Sequence, residues 1–251
     1  MYKRQPLGRY YLYFAHHRGD YIRLAYADRL RGPWKTYEPG TLRLEESYCT
    51  YHIASPDVHV DDEKREIRMY YHGVTDLGQK SKVALSKDGI RFAARPETLG
   101  EFYFRVFRWG GYHYALARPG ILYRSRDGLS DFKQGPTLFS ENMRHSAFEL
   151  NDSRLSVFYS NIGDCPESIL LATIELKPDW AMWKESKPVV VLKPETEYEA
   201  ADLPLQPSES GPAGKRVRQL RDPAIFQENG RTYLLYSVAG EHGIAIAELK
   251  E

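Results

Sequence analysis

The sequence lacks the residue patterns that mark the commonest metal-binding and nucleotide-binding sites. Its 251 residues contain no CxxC pair, no HExxH pair and no glycine-rich phosphate loop, so the usual signatures of metal hydrolases and nucleotide enzymes are absent. Only two cysteines occur, Cys49 and Cys165, and they could form one disulfide bond at most. We interpret both as free, buried thiols.

The sequence also lacks an excess of charge of one sign, and it has no long apolar runs. The chain has 35 basic and 34 acidic residues and no basic block, which argues against general affinity for nucleic acid or for anionic membranes. No apolar run approaches the length that crosses a bilayer. We therefore expect neither nucleic acid nor a membrane as a partner, and the oligomeric state is left open.

The opening pentapeptide MYKRQ lacks the apolar core of a signal peptide, and a strand pattern follows it almost at once. We expect the native start of the protein to lie upstream of this pentapeptide. The compartment is therefore left open between the cytoplasm and secretion or export to a periplasm.

What the chain does have is a series of short aromatic strands. Its 19 tyrosines fit strands, where Tyr is favoured, and also fit stacking on sugar rings, so the number alone decides neither. Helical periodicity is hard to find, whereas short strands bounded by Gly, Pro, Asn and Asp recur. The recurring unit is an inner strand, a tight turn and an aromatic strand. Its five copies cover residues 8–15, 56–73, 101–117, 145–160 and 222–237.

A third strand and usually a closing segment follow each copy, which gives five units of about 40 to 50 residues. This recurrence predicts an all-β chain that folds as a single five-bladed β-propeller domain. A β-sandwich is the alternative, but it needs no five-fold recurrence. We place the blades at residues 1–50, 51–100, 101–142, 143–193 and 216–251, with 194–215 as an inserted loop.

A constant spacing links each inner strand to the aromatic residue that ends the second strand. Counting back 14 positions leads from Tyr71, Tyr159 and Tyr236 to Asp57, His145 and Asp222. In the third unit the count lands on Phe102, beside Glu101. In the first unit it falls before residue 1, which predicts that the first blade's inner strand is missing or is replaced by the opening pentapeptide.

The inner strands of a propeller all begin on one face, so we expect Asp57, His145 and Asp222 to lie level with one another in a central funnel. The second strands end on the same face, and the inserted loop should cross it, which places their polar residues around the rim. These residues are His16, His17, His72, Arg118, Asn161, Asp164, Glu199, Asp202, Glu241 and His242, with Arg221 beside Asp222 as its ion partner or as a substrate clamp.

Carboxylates that converge in an aromatic-rich pocket suit the hydrolysis of a glycosidic bond. One carboxyl group must be protonated so that it can give its proton to the leaving oxygen, and another must be ionised so that it can activate water or attack. Arginine and histidine neighbours would tune the pKa values of these carboxyl groups and hold sugar hydroxyls.

Several short motifs resemble the five-bladed propeller glycosidases of glycoside hydrolase family 43 and their fructan- and arabinan-acting relatives. The motifs are ASPDV at 54–58, GPW at 32–34, the turns SKDG and SRDG, and RDP at 221–223. These motifs identify the chain as a member of this group. It is a divergent member, because it lacks the family's Glu-x-Pro context.

The resemblance implies an Asp base on blade one, an Asp that modulates pKa on blade two and a Glu acid on blade three. Asp57 is similar to the modulator, and Glu101 is similar to the acid once one extra residue is allowed in the following turn. Asp222 is similar to a transition-state-stabilising Asp of the fructan-acting relatives, where it lies on a different blade. The blade-one base has no counterpart in this chain.

We therefore predict a glycoside hydrolase that acts on an oligosaccharide or polysaccharide. No cofactor is expected, although a structural divalent cation in the central channel is left open. The predicted catalytic residues are Asp57, Asp222, Glu101 and Glu199, and the predicted substrate-binding residues are His16, His17, His72, His145, Arg118, Arg221, Glu241 and His242.

Two alternatives stay open. In the first, the propeller binds carbohydrate through its rim histidines and aromatic residues but has no acid and base pair. In the second, the protein is a metal-using lyase or epimerase in which His16, His72, His145 and Asp222 hold a divalent ion.

Overall fold

The structure is a computed structural model that describes residues 5–250, so most of the opening pentapeptide lies outside the described residues. The strands form five antiparallel sheets in sequence order. Sheet one consists of β1 (Tyr10–Ala15), β2 (Ile22–Ala27) and β3 (Lys35–Tyr37), and sheet two of β4 (Thr50–Asp61), β5 (Glu66–Thr75), β6 (Gly78–Ser86) and β7 (Ala93–Ala94), with β8 (Gly100–Glu101) paired to β6. Sheet three consists of β9 (Arg105–Trp109), β10 (Tyr112–Ala117), β11 (Ile121–Ser125) and β12 (Lys133–Thr137). Sheet four consists of β13 (Met143–Asn151), β14 (Arg154–Asn161), β15 (Ile169–Glu175) and β16 (Val189–Leu192), and sheet five of β17 (Arg221–Glu228), β18 (Arg231–Val238) and β19 (Gly243–Leu249).

Five sheets, one for each predicted blade, confirm the all-β, five-bladed propeller fold class. The helical content of the described residues consists of three single turns of 3₁₀ helix at Leu44–Glu46, Trp180–Met182 and Glu197–Glu199. The first sheet begins with β1, which is the predicted second strand of its blade, and no strand precedes Tyr10 in the part of the chain described. The prediction that the opening pentapeptide replaces an inner strand falls mostly on residues 1–4, which lie outside the described residues.

The chain divides into two compact units. Unit one comprises the described part of Met1–Ala117 together with Tyr123–Lys133, and unit two comprises Arg118–Leu122 with the described part of Gln134–Glu251. Sheets one and two lie in unit one, and sheets four and five lie in unit two.

Each unit has its own apolar core, built from the inward-facing residues of its strands. In unit two, Leu234, Tyr236 and Val238 alternate along β18 and are buried, as the two-residue period of a strand requires. In unit one the central strand β5 is buried along most of its length, because sheet neighbours cover its edges and packed side chains cover its faces. Core residues of unit one are Ile22, Leu42, Ile53, Ile67, Met69, Tyr71, Ala84 and Phe92.

The two S-x-DG motifs form the same kind of turn. In each, the Ser hydroxyl accepts a hydrogen bond from the Gly amide, at 2.9 Å for Ser86 and 3.1 Å for Ser125. The carboxylate of Asp127 also accepts the amides of Leu129 and Ser130. Burial opposes the charge of Asp127, but these hydrogen bonds prevail and lower its pKa to about 2. The motifs that contribute to the family resemblance therefore stabilise turns between strands.

Within the described residues, no helix has the length and apolar character needed to cross a membrane.

Because Leu234 is fully buried in the core of unit two, the substitution Leu234→Ala is expected to lower the free energy of unfolding by about 2 to 5 kcal/mol. The control is Leu205→Ala, in which the leucine removed is 56% exposed and the expected change is under about 0.5 kcal/mol. Urea denaturation followed by tryptophan fluorescence measures both values. Equal losses in the two variants would contradict this assignment of the core.

Candidate active site

Two of the predicted inner-strand residues, His145 and Asp222, lie at breaks in the strand register. In β13, the residues Arg144 and His145 form a bulge between the paired positions Met143 and Ser146. In β17, Asp222 and Pro223 form the corresponding bulge. A bulge redirects side chains, and bulges are frequent beside active sites. The local backbone therefore aims His145 and Asp222 away from the regular alternation of their strands.

Asp57 does not occupy the register position in its sheet that Asp222 occupies in its own, which corrects the 14-residue count. In β4 the bulge holds Ser55 and Pro56, and Asp57 follows it, paired with Tyr70. Ser55, with φ of 55°, thus occupies the position that Asp222, with φ of 51°, occupies in its own sheet. The 14-residue count fails here because the β4–β5 turn has four residues, at 62–65, whereas the β17–β18 turn has two. The two extra turn residues shift Asp57 by two positions along the strand.

Asp222 makes its main contact with His145. One carboxylate oxygen lies against the imidazole Nδ1 of His145, and the other accepts a hydrogen bond from the hydroxyl of Ser237 at 3.0 Å. The Asp222 side chain keeps 27% of its surface exposed. Burial alone would raise the pKa of Asp222, but the charge and hydrogen bond of His145 outweigh it and hold the pKa well below the ordinary range. Asp222 is therefore a fixed, ionised carboxylate that solvent can reach.

A buried ion cluster lies behind this pair. Glu167 is fully buried and contacts the Nε atoms of both Arg144, at 3.4 Å, and Arg221, at 3.1 Å. These two arginines directly precede His145 and Asp222 in the chain. The hydroxyl of Ser160 donates a further hydrogen bond to Glu167 at 2.6 Å. One carboxylate thereby holds both bulges in place.

The same arginines hold the inserted loop. Arg144 donates to the carbonyl oxygen of Glu209, and Arg221 donates to the carbonyl oxygen of Gly211 at 3.2 Å. Arg221 also pairs with Glu241 at 2.9 Å and donates to the side chain of Gln219. The protein itself thus uses the predicted substrate-binding residues Arg221 and Glu241 as partners for each other.

Asp57 is anchored within unit one. Its Oδ2 atom lies 2.8 Å from Nε2 of His59 and accepts the backbone amide of Val106, also at 2.8 Å. Burial opposes ionisation, but His59 and Arg105 lower the pKa of Asp57 overall. The same carboxylate raises the pKa of His59 against the effect of burial. Asp57 is therefore ionised and joins β4 to β9, the first strand of the third sheet.

Glu101 lies in β8, which pairs with β6 at the edge of the second sheet and not with the third sheet. Its carboxylate contacts the ammonium group of Lys80, which is its direct cross-strand neighbour. The first strand of the third sheet begins only at Arg105. The expectation that Glu101 begins the inner strand of blade three is therefore wrong, because Gly100–Glu101 pairs with β6 of sheet two.

Glu199 is buried and engaged at both oxygens. Oε2 accepts the amides of Glu195 and Thr196 and the hydroxyl of Thr196 in a capping box, and Oε1 accepts the hydroxyl of Tyr236 at 2.9 Å. Burial opposes the charge, yet these hydrogen bonds lower the pKa of Glu199. An ionised, saturated carboxylate is poorly suited to donate a proton.

The predicted rim residues have varied environments. His16 lies 3.2 Å from Asp20 and stacks on Tyr21, whereas His17 is exposed in the following turn. His72 is buried in β5, with its ring centroid 4.7 Å from that of Tyr103. Arg118, half-buried, follows β10, and His242, exposed, lies in the turn after β18, where its Nδ1 is 3.1 Å from the Ala239 carbonyl oxygen.

Asp164 differs from Asp57, Glu199 and Asp222 in the direction of its pKa shift. It follows β14, and its carbonyl oxygen accepts the amide of Ser208 in the inserted loop at 3.1 Å. Burial raises the pKa of Asp164, and a hydrogen bond from Asn161 offsets this only in part. The sequence placed Asp164 at the rim but gave no sign of its raised pKa, since burial depends on the fold.

Glu167 and Arg144 were missed by sequence reasoning altogether. Neither falls on a motif or on the 14-residue count. The one available signal is that Arg144 and Arg221 each directly precede a predicted site residue, in RH and RD pairs.

Among residues 5–250, no group of three or more His, Cys, Asp or Glu side chains is arranged to hold a metal ion. The four residues His16, His72, His145 and Asp222 therefore do not form a ligand set in this structure. Cys49 is half-buried and Cys165 is exposed, and both are free thiols. The expectation that both thiols are buried is wrong for Cys165.

A comparison with models of known protein families found no match. A comparison with curated proteins found "Uncharacterized protein R118" of Acanthamoeba polyphaga mimivirus, 37% identical in an alignment of 270 positions that covers 96% of this chain and 76% of the viral protein. The chain belongs to the same family as this viral protein.

Solved structures with a similar fold include glycoside hydrolases and a β-1,2-mannobiose phosphorylase from Listeria innocua. A thermostable family-43 glycoside hydrolase matches with a TM-score of 0.70 and 14% identity, covering 96% of this chain and 86% of that one. CoXyl43, a GH43 β-xylosidase/α-arabinofuranosidase from a compost microbial metagenome, solved with xylotriose, matches with a TM-score of 0.62 and 14% identity, covering 92% and 80%. At such identities the likeness shows the shared five-bladed fold, which does not by itself determine a reaction.

The substitution Glu167→Gln is expected to lower the free energy of unfolding by about 3 to 5 kcal/mol, because it leaves Arg144 and Arg221 buried without their shared counter-charge. The control is Glu175→Gln, which removes an exposed partner of Arg154 and is expected to cost under about 1 kcal/mol. Urea denaturation of both variants checks this. A small effect of Glu167→Gln would show that the cluster does not hold the bulges.

The low pKa of Asp222 predicts a pH dependence of stability. A carboxyl group whose pKa is lower in the folded state stabilises the protein above its unfolded-state pKa of about 3.9 and loses this contribution as the pH falls further. Wild type is therefore expected to exceed Asp222→Asn in free energy of unfolding near pH 6, with the gap narrowing towards pH 3. Denaturation curves at several pH values measure the gap, with Asp202→Asn as the control. A gap that is constant with pH would contradict the lowered pKa.

Proposed function

We propose that the protein is a carbohydrate-active enzyme that hydrolyses glycosidic bonds. The observation that carries the proposal is the opposite behaviour of two carboxyl groups in unit two. The pKa of Asp222 is lowered by His145, whereas the pKa of Asp164 is raised by burial. Carboxyl groups whose environments drive their pKa values apart are the usual acid and base assignments of such enzymes.

Asp222 is proposed as the ionised group of the reaction. It can take the proton of a water molecule that attacks the anomeric carbon, or attack that carbon itself. His145 and Ser237 fix both of its oxygens, and its left-handed backbone conformation is a strained one that is common at functional sites. Asp164 is proposed as the acid that donates its proton to the leaving oxygen as the glycosidic bond breaks.

Asp57 is proposed as a supporting carboxylate in unit one, in line with the modulator role that the family resemblance implies. Its ionised state and its contact with His59 support this role. The contacts of Glu101 with Lys80 and of Glu199 with its cap favour structural roles for these two residues.

The proposed substrates are oligosaccharides that contain xylose or arabinose. The support comes from the fold, since CoXyl43 has β-xylosidase and α-arabinofuranosidase in its name and was solved with xylotriose. The histidines of unit one and the tyrosine-rich strands supply donors and apolar faces that suit neutral sugars.

Carbohydrate binding without catalysis is the second candidate function. The observation that favours it is that Asp57, Glu101 and Glu199 all have protein partners for their carboxylates. The two functions differ in one measurable respect. An enzyme cleaves an oligosaccharide that it binds, whereas a binding protein releases the oligosaccharide intact.

Asp222→Asn is expected to lower the rate of cleavage by about a hundredfold or more, the usual size of an acid–base contribution, while the thermal unfolding curve stays cooperative. Asp57→Asn is expected to lower the rate as well, and its amide oxygen can still accept the Val106 amide. The assay uses a panel of 4-nitrophenyl glycosides, xylotriose and arabinotriose, with Asp202→Asn as the control. Wild-type binding of these sugars without cleavage would favour the second candidate, and full activity of Asp222→Asn would remove it from the mechanism.

A further inference from the structure

Unit one contains a group of strained residues close to the start of β4. Tyr48, Tyr51, Ser55 and Tyr103 all have left-handed backbone conformations, with φ of 55°, 61°, 55° and 69°. Such φ values are uncommon for residues other than glycine and are costly for bulky side chains. They persist where the surrounding structure enforces them, and they cluster at ligand-binding sites.

The surroundings of β4 enforce this strain. Tyr51 and His52 lie between the paired positions Thr50 and Ile53, where the register of β4 shifts. The Ile53 amide donates to the carbonyl oxygen of Gly19 at 2.9 Å. A side chain at Gly19 would collide with His52, since a Cβ atom there would lie 2.2 Å from the Cβ of His52. The loop after β1 therefore holds the shifted segment in place.

The strained tyrosines are also exposed. Tyr51 keeps 82% of its surface accessible and Tyr48 keeps 61%. Hydrophobic burial favours the opposite arrangement for large aromatic side chains, and left-handed backbone favours glycine at both positions. Folding alone thus gives no reason for a tyrosine at either position, whereas a ligand that covers the rings does.

An aromatic cluster around the buried His72 supports this segment. The ring of His72 lies 5.5 Å from that of His52 and 4.7 Å from that of Tyr103, and Phe102 lies 4.8 Å from Tyr103. Burial lowers the pKa of His52, although a hydrogen bond with Gln79 opposes the shift. At neutral pH the cluster therefore offers a neutral imidazole, with a donor and an acceptor, at the residue that directly follows the exposed Tyr51.

We propose that Tyr48 and Tyr51, here called the tyrosine platform, form a binding site for a neutral sugar ring, which stacks on the exposed face of Tyr51. The proposal rests on the proposed function and adds a substrate-binding site to it. Tyrosine rings cover the C–H face of a sugar, and the hydroxyls of both partners hydrogen-bond at the edge.

The chemistry of the platform favours a sugar over a protein partner. Its exposed large side chains are both tyrosines, whereas protein interfaces bury about 800 Å² per partner around an apolar centre. The other exposed large apolar residues of unit one, Val60 and Leu77, lie at the far end of β4 and in the β5–β6 turn. They do not extend the platform into a patch of that size.

The test uses xylotriose and arabinotriose as probes, titrated calorimetrically into variants that also carry Asp222→Asn, so that binding is read without turnover. Tyr51→Gly is expected to raise the dissociation constant about tenfold, which corresponds to 1.4 kcal/mol, the size of one aromatic contact. The melting temperature is expected to stay equal or to rise, because glycine accepts the left-handed conformation without strain. Tyr51→Phe, which keeps the ring, is expected to bind within about threefold of the parent.

Tyr198→Ala is the control, because it removes a tyrosine that is 57% exposed in unit two. Unchanged affinity of Tyr51→Gly would overturn the platform while leaving the proposed function to the cleavage assay of Asp222→Asn. Sugar that binds neither parent nor variant would overturn both. A change in oligomeric state with Tyr51→Gly, seen by size-exclusion chromatography without a change in sugar affinity, would identify a protein contact and overturn the proposal.

Discussion

The buried charge of Glu167 is the interaction on which the candidate site of unit two depends. Two arginines that are almost completely buried need a counter-charge, and Glu167 supplies it to both at 3.4 and 3.1 Å. Because Arg144 and Arg221 directly precede His145 and Asp222, the same ion cluster sets the positions of both site residues. The inserted loop depends on it as well, since its carbonyl oxygens at Glu209 and Gly211 accept from these arginines. A change in this cluster therefore affects the two bulges and the loop together.

Strand bulges are the second common device, and they explain why the site residues differ from the rest of each strand. A regular strand alternates its side chains between two faces, so a polar residue would be either buried in the core or fully solvated. The bulges in β13 and β17 break this alternation and let His145 and Asp222 meet while the core residues on both sides keep their places. In unit one, the register shift of β4 likewise breaks the alternation of side chains at Tyr51. Local strain at these positions is offset by the packed sheets around them.

The sequence was sufficient for the fold class because hairpins with an aromatic second strand recur in it. The 14-residue count gives matching positions for His145 and Asp222, which are in contact, because their hairpins have turns of equal length. It misplaced Asp57 because the β4–β5 turn is two residues longer, and a count along the chain does not register turn length. Glu199 could have been read as a cap, since Thr196 and Glu199 have capping-box spacing. Glu167 could not have been found, because its role arises from arginines that are distant in sequence, and long-range ion clusters leave no local pattern.

The Asp57–His59 and Asp222–His145 contacts look alike but impose different constraints. Asp57 accepts a backbone amide from β9, so a change in its protonation state would weaken the link between two sheets. Asp222 contacts the side chains of His145 and Ser237, which can reorient while the backbone stays in place. Asp222 is also the more exposed of the two, at 27% against 18%. A carboxylate that exchanges protons with a substrate must change charge without unfolding its surroundings, and Asp222 meets that condition better than Asp57. The proposed role of Asp222 as the reacting carboxylate is therefore supported by the nature of its hydrogen-bond partners.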